Sequence, residues 1–186
     1  MVRYGPPVFR STSEAFMNFA HKRRAAFFLA GLALLTASAQ AQGVRLLGDF
    51  RDWSSYAAND ASGSVCFALS KPKSVNPTPD GYGQAYLYLT HRPTENVTNE
   101  LNLVAGFTFA PDTPATLSVG SQVFQLFTEN DAAWLQDPGQ TDALASAIRA
   151  GSTLVIEGTS DKGIRVTQTF SLSGATAASK AIDTGC

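Results

Sequence analysis

The stretch Leu101-Asn102-Leu103-Val104-Ala105-Gly106-Phe107-Thr108-Phe109 decides the fold class. Leu101, Leu103, Ala105, Phe107 and Phe109 share one side of a two-residue period, so the segment reads as a strand with one apolar face. The same period recurs on both sides of it. In Ala85 to Leu89 the residues Ala85, Leu87 and Leu89 share a face, Tyr86, Tyr88 and Thr90 share the other, and Pro93 ends the run. Downstream, Thr116 to Val119 and Val123 to Phe127 flank Gly120-Ser121, a pair suited to a type II′ hairpin turn. Thr153 to Glu157 and Ile164 to Leu172 flank a Gly-Thr-Ser-Asp-Lys-Gly turn, with Gln168 the polar exception on an apolar face. Upstream, Phe50 to Tyr56 and Val65 to Ser70 form the opening pair, which makes about eight strands.

Two stretches break the period. Thr141 can cap a helix in which Leu144 and Ile148 stack at i and i+4, with Gly151 as a left-handed stop. From Ser173 onward Ala175, Ala177, Ala178 and Ile182 favour a further helical turn or two across an end of the sheets, although Gly174 weakens its start. Many strands, hairpin turns and few helices predict an all-β fold, an antiparallel β-sandwich with one or two short helices. The Pro- and Gly-rich segment from Pro72 to Gly83 is the expected mobile excursion.

With 186 residues, 44% hydrophobic and 16% charged, the chain suits one globular domain plus an address segment. Residues 1–41 hold five Lys/Arg and one Glu, which leaves nine Lys/Arg against fourteen Asp/Glu in 42–186, a net of −5. A mildly acidic body argues against nucleic acid as the partner. His21-Lys22-Arg23-Arg24, the apolar run from Ala25 to Leu35 and the small residues up to Ala41 read as a signal peptide cleaved before Gln42. The apolar run is too short for a stable membrane span. Residues before Met17 fit no address, which leaves Met17 as an alternative start. The expectation is therefore a signal peptide over 1–41, one domain over 42–186, and a bacterial periplasmic, secreted or envelope location. In that oxidising setting the two cysteines, Cys66 and Cys186, are expected to form one disulfide.

The chemistry-bearing residues are sparse. His91 is the one histidine after the cleavage point, expected at a strand end, exposed or bonded to nearby backbone. A metal cluster lacks ligands, no G-x-S-x-G pattern is present, and the carboxylates show no spacing that selects an acid–base pair. The reading is therefore of no catalytic residue, no metal, no cofactor and no enzyme. Tyr86 and Tyr88 oppose the aliphatic face, so they either pack a rim or present a contact patch. That patch is assigned to Tyr82, Tyr86, Tyr88, His91 and Arg92, while Trp53 and Trp134 are expected as core plugs.

Short signatures in a fixed order support a family reading. They are Asp52-Trp53-Ser54-Ser55-Tyr56, Val65-Cys66-Phe67-Ala68-Leu69-Ser70-Lys71-Pro72, Thr90-His91-Arg92-Pro93 and Asn99-Glu100-Leu101 leading to Gly106-Phe107. Asp131-Ala132-Ala133-Trp134, Ala147-Ile148-Arg149-Ala150-Gly151, Gly158-Thr159-Ser160 and Phe170-Ser171-Leu172-Ser173-Gly174 follow. Together they resemble the invasion-associated locus B family of exported bacterial proteins. The resemblance implies an immunoglobulin-like sandwich in the periplasm or envelope, without a recognised catalytic centre. Many relatives carry a mid-domain Gly-Cys-x-Ala motif; here that region reads Asp131-Ala132-Ala133-Trp134, which implies a divergent branch and weakens transfer of an invasion role. The function expected is contact with an envelope or host protein. The alternative is a small-ligand or glycan-binding module using Tyr82, Tyr86, Tyr88 and Trp53.

Overall fold

The computed structural model describes residues 43–186. The expected signal peptide over 1–41 lies outside the described residues. The strands are β1 (Arg45–Phe50), β2 (Trp53–Asp60), β3 (Gly63–Ser70), β4 (Ser74–Asn76), β5 (Tyr86–Arg92) and β6 (Val97–Val104). After them come β7 (Ala115–Val119), β8 (Gln122–Glu129), β9 (Ala132–Leu135), β10 (Thr153–Thr159) and β11 (Arg165–Ser171). Helix α1 (Thr141–Ala150) separates β9 from β10, and α2 (Ala175–Gly185) ends the chain. The ladder runs β1-β2-β3-β5-β6-β9-β8-β7-β10-β11-β4, each adjacent pair antiparallel.

This one ladder makes both layers of the sandwich. Strand β9, four residues long, pairs with β6 on one side and β8 on the other and so joins the layers. A single buried cluster takes Trp53, Ala68, Leu87, Leu89, Leu101 and Leu103 from one half of the ladder. It takes Leu117, Leu126, Leu154, Ile156 and Phe170 from the other. Each belongs to the inward set of an alternating strand, so the two-residue period is what sorts core from surface.

Three expectations about segments need correction. The run from Phe50 to Tyr56 is two strands, because Arg51 takes a left-handed φ of 58° and turns β1 into β2. The strand beginning at Leu101 ends at Val104, because Gly106 takes φ 76° and lies against the backbone of Gly83, whose N–H donates to its carbonyl at 2.7 Å. A side chain at Gly106 would strike the Gly83 carbonyl. Gln168 explains its own polar intrusion at this break: fully buried, its amide donates to the Ala105 carbonyl at 2.8 Å and to the Tyr82 hydroxyl at 3.4 Å. A carbonyl released by the end of a ladder thereby keeps a donor inside the core. The excursion from Pro72 to Gly83 is likewise tied down in part, since β4 pairs with β11 and Lys73 pairs with Asp52.

The helices also differ in detail. Gly151 is extended, with φ −85° and ψ 168°, and ends α1 where no side chain fits against Val119. The Thr141 hydroxyl donates to the Pro138 carbonyl rather than accepting from the helix, and Gln140 holds the cap position. Helix α2 is eleven residues long, and it covers the inward side of β2, β3 and β5 instead of lying across an end. Ala175, Ala178 and Ile182 are fully buried there, and the Ser55 hydroxyl donates to the Ala178 carbonyl at 3.0 Å. Gly174 sets its entry with φ 96°, where a Cβ would collide with the Phe50 carbonyl.

Cys66 and Cys186 form the expected pair, with Cα atoms 5.7 Å apart and a sequence separation of 120. Closing a loop of that length restricts the unfolded chain by about 4 to 5 kcal/mol in the entropy model. Alkylation of the native protein without reductant should therefore leave the mass unchanged, and reduction under denaturing conditions should add two labels. The double variant Cys66→Ser/Cys186→Ser should lose about 3 to 5 kcal/mol in urea unfolding. An unchanged midpoint would contradict a structural staple.

Candidate contact face

Four outward positions on β2, β3 and β5 are aromatic: Tyr56, Phe67, Tyr86 and Tyr88. Tyr56 and Phe67 are cross-strand partners and stack at 5.3 Å between ring centroids with an interplanar angle of 21°. Phe67 meets Tyr88 at 6.0 Å, and Tyr88 meets Tyr86 at 6.1 Å. The Lys71 ammonium sits 5.6 Å above the Tyr86 ring. Each of these four residues is half-buried on the sheet. Aromatic pairs of this geometry contribute about 0.5 to 1.5 kcal/mol each beyond their buried area, so the face is fixed in shape before anything docks.

The phenols respond to that packing. Burial pushes the Tyr88 hydroxyl above the ordinary tyrosine value, and the neighbouring Tyr86 adds to the effect. Burial raises Tyr82 as well, partly offset by its hydrogen bond from Gln168. At the turn before β2, the Lys73 hydrogen bond holds the Asp52 carboxyl below the usual carboxylate range, assisted by Ser171.

The five residues assigned to a contact patch do not stand together. Tyr86 and Tyr88 lie on the aromatic face, and Arg92, half-buried at the end of β5, pairs with Glu100 of β6. Tyr82 is elsewhere, its hydroxyl accepting from the core residue Gln168. His91 is neither exposed nor bonded to backbone. It is 5% accessible, with Nδ1 3.2 Å from the Asp183 carboxylate of α2 and Nε2 3.4 Å from the Asn99 side-chain oxygen. Its position in β5 has the parity of Leu87 and Leu89, and it pairs across the ladder with Cys66. It anchors α2 beside the disulfide and is withdrawn from any outer contact.

Sequence reasoning missed Tyr56, Phe67 and Leu69. Their parity was available: Ser55 and Ala68 point inward, so Tyr56, Phe67 and Leu69 must point outward. Trp53 is a core residue at 1% exposure, its indole N–H donating to the Ser171 carbonyl at 2.9 Å. Trp134 is not a core plug: it is half-buried on the outward side of β9 and stacks on Phe127 of β8 at 5.3 Å.

Among the described residues no group of three or more His, Cys, Asp or Glu stands close enough to hold a metal ion, and no helix is long and apolar enough to cross a membrane. Fold and face together define an all-β sandwich backed by a C-terminal helix, with a preformed aromatic surface on its first layer. The invasion associated locus B protein family model matches residues 53–183, and the chain belongs to that family. No curated protein and no solved structure matches the chain.

The raised phenols give a direct check of the face. In an absorbance titration of tyrosinate, Tyr88→Phe should remove a transition lying above 10.0, the ordinary tyrosine value. A folded-state value above the unfolded one means this contribution to stability is whole below about pH 10 and is lost as the pH rises through the folded value. Loss of an ordinary transition from Tyr88→Phe would show that the ring is free of its neighbours.

Proposed function

We propose that this protein is an exported, non-enzymatic binding protein of the bacterial periplasm or envelope that works by contact with another envelope protein or a host-surface protein. The observation that carries the proposal is the chain of ring contacts on the outward side of the sheet, stacked at Tyr56–Phe67 and tilted from Phe67 through Tyr88 to Tyr86. Aromatic residues with apolar bodies and polar tips are enriched at protein interfaces, and a pre-ordered patch spends little entropy on docking. Export follows from the basic and apolar segments before Ala41, and the Cys66–Cys186 pair suits an oxidising compartment. Membership of an invasion-associated family is consistent with a host-surface partner.

The rival reading, a glycan or small-ligand module built on Tyr82, Tyr86, Tyr88 and Trp53, is weakened by the placement of two of its four aromatics. Trp53 is inside the core and Tyr82 bonds to Gln168 away from the face.

A photo-crosslinking amino acid placed at position 67 or 88 tests the proposal in intact cells, with position 155 on β10 as the control. The expected result is one shared partner from 67 and 88, absent from 155, on a mature protein whose N-terminus is Gln42. Equal labelling from all three positions, or an unprocessed protein in the cytoplasmic fraction, would remove the proposal.

A further inference from the structure

The aromatic face continues sideways along one cross-strand row, Leu69, Tyr88, Asn102, Trp134 and Phe127, and ends at a cleft. The cleft, about 740 Å³, lies between β6, the Phe127–Trp134 stack and the start of α1. Its existence follows from the ladder: β9 pairs with β6 only from Asn102 to Val104, so Val97 to Leu101 have no strand partner on that side among the described residues. Asn99 takes φ 54° and the register slips between Thr90 and Arg92, so this edge is kinked. A kinked edge resists pairing with a further strand, which leaves recognition to side chains.

The lining is specific in charge. Phe127 is 45% exposed and offers an aromatic wall with Trp134, while Val97 and Leu135 add apolar surface. Three carboxylates, Glu100, Glu129 and Asp142, line the same space, and among the described residues no Lys or Arg does. Glu100 is engaged by Arg92, whereas neither Glu129 nor Asp142 is in an ion pair among the described residues. The complementary group is a planar, weakly hydrated cation that stacks on an aromatic ring and bonds carboxylates through a fork of donors. That describes a guanidinium better than an ammonium. The net charge of −5 over residues 42–186 also favours a basic partner.

We infer that this cleft receives an arginine side chain of the protein partner, stacked on the Phe127–Trp134 wall and paired with Glu129 and Asp142. The protein source of the arginine rests on the proposed contact function, because the cleft opens at the end of the row that carries Tyr88.

Trp134 supplies the probe, since the other tryptophan, Trp53, is sealed in the core. The oxidised mature protein is titrated with a blocked pentapeptide bearing one central arginine, and with its citrulline and lysine counterparts, while tryptophan emission is followed. The arginine peptide should give a saturable change, and the neutral citrulline peptide should bind about tenfold more weakly. Lysine should fall between them, and raising salt from about 50 to about 300 mM should weaken the arginine peptide. Glu129→Gln and Asp142→Asn, both at exposed positions, should each weaken it severalfold without changing the thermal midpoint. Equal response to citrulline, no saturation by about 5 mM, or indifference to both substitutions overturns the inference. Free arginine binding as tightly as the peptide also overturns it, by making the cleft a small-molecule site. A failed titration alongside successful crosslinking from positions 67 and 88 refutes the cleft alone. Loss of the crosslinks with peptide binding intact refutes the contact face and, with it, the protein source of the arginine.

Discussion

Ser55, Cys66 and His91 lie on the inward side of three adjacent strands, and helix α2 meets all of them. The Ser55 hydroxyl bonds the Ala178 carbonyl, Cys66 is bridged to Cys186, and His91 faces Asp183. These polar links surround a packing contact made by Ala175, Ala178 and Ile182, in which the two alanines let the helix approach the sheet closely and Ile182 fills the core. Without α2 the inward faces of β2, β3 and β5 around Ser55, Cys66 and His91 would lose their cover. The helix is therefore a structural layer of the sandwich, and the first layer of the sheet is as rigid as this contact makes it.

That rigidity reaches the outer surface through the pleat. A strand with every second position locked into a core must present the positions between them outward in a fixed register. Locking Leu87 and Leu89 therefore sets Tyr86 and Tyr88, and locking Cys66 and Ala68 sets Phe67. The aromatic face and the buried His91 are consequences of one alternation read on its two sides. Interruptions of the alternation carry their own compensation: Gln168 serves the carbonyl exposed where β6 stops, and β9 carries the ladder across to the second layer.

Much of this is legible in the sequence because burial follows local period. Ala85 to Leu89, Thr116 to Phe127 and the segment around Val166 and Phe170 each show it within a few residues. What was not legible depends on distant partners. The stop after Val104 requires Gly83 to lie against Gly106, and the turn at Arg51 requires a left-handed backbone at a residue that rarely adopts one. Trp134 sits in a strand too short to show a period. His91 has the inward parity of Leu87 and Leu89, and its burial becomes intelligible only with Asp183 of α2 and Asn99 as partners for the ring nitrogens. The grouping of Glu129 and Asp142 with Phe127 and Trp134 arises only because β9 ends early and α1 begins beside β6, which no sequence pattern announces.

Helix α2, stapled by Cys66–Cys186, holds β2, β3 and β5 in place and with them the outward aromatic row. Native-state hydrogen exchange on the oxidised protein and on Cys66→Ser/Cys186→Ser tests it most directly. Slow exchange of α2 and of the β2, β3 and β5 amides is expected in the oxidised protein, with all four elements losing protection together in the variant. Fast exchange in α2 beside undiminished protection in β2, β3 and β5 would contradict it, by showing that the sheet stands without its helix.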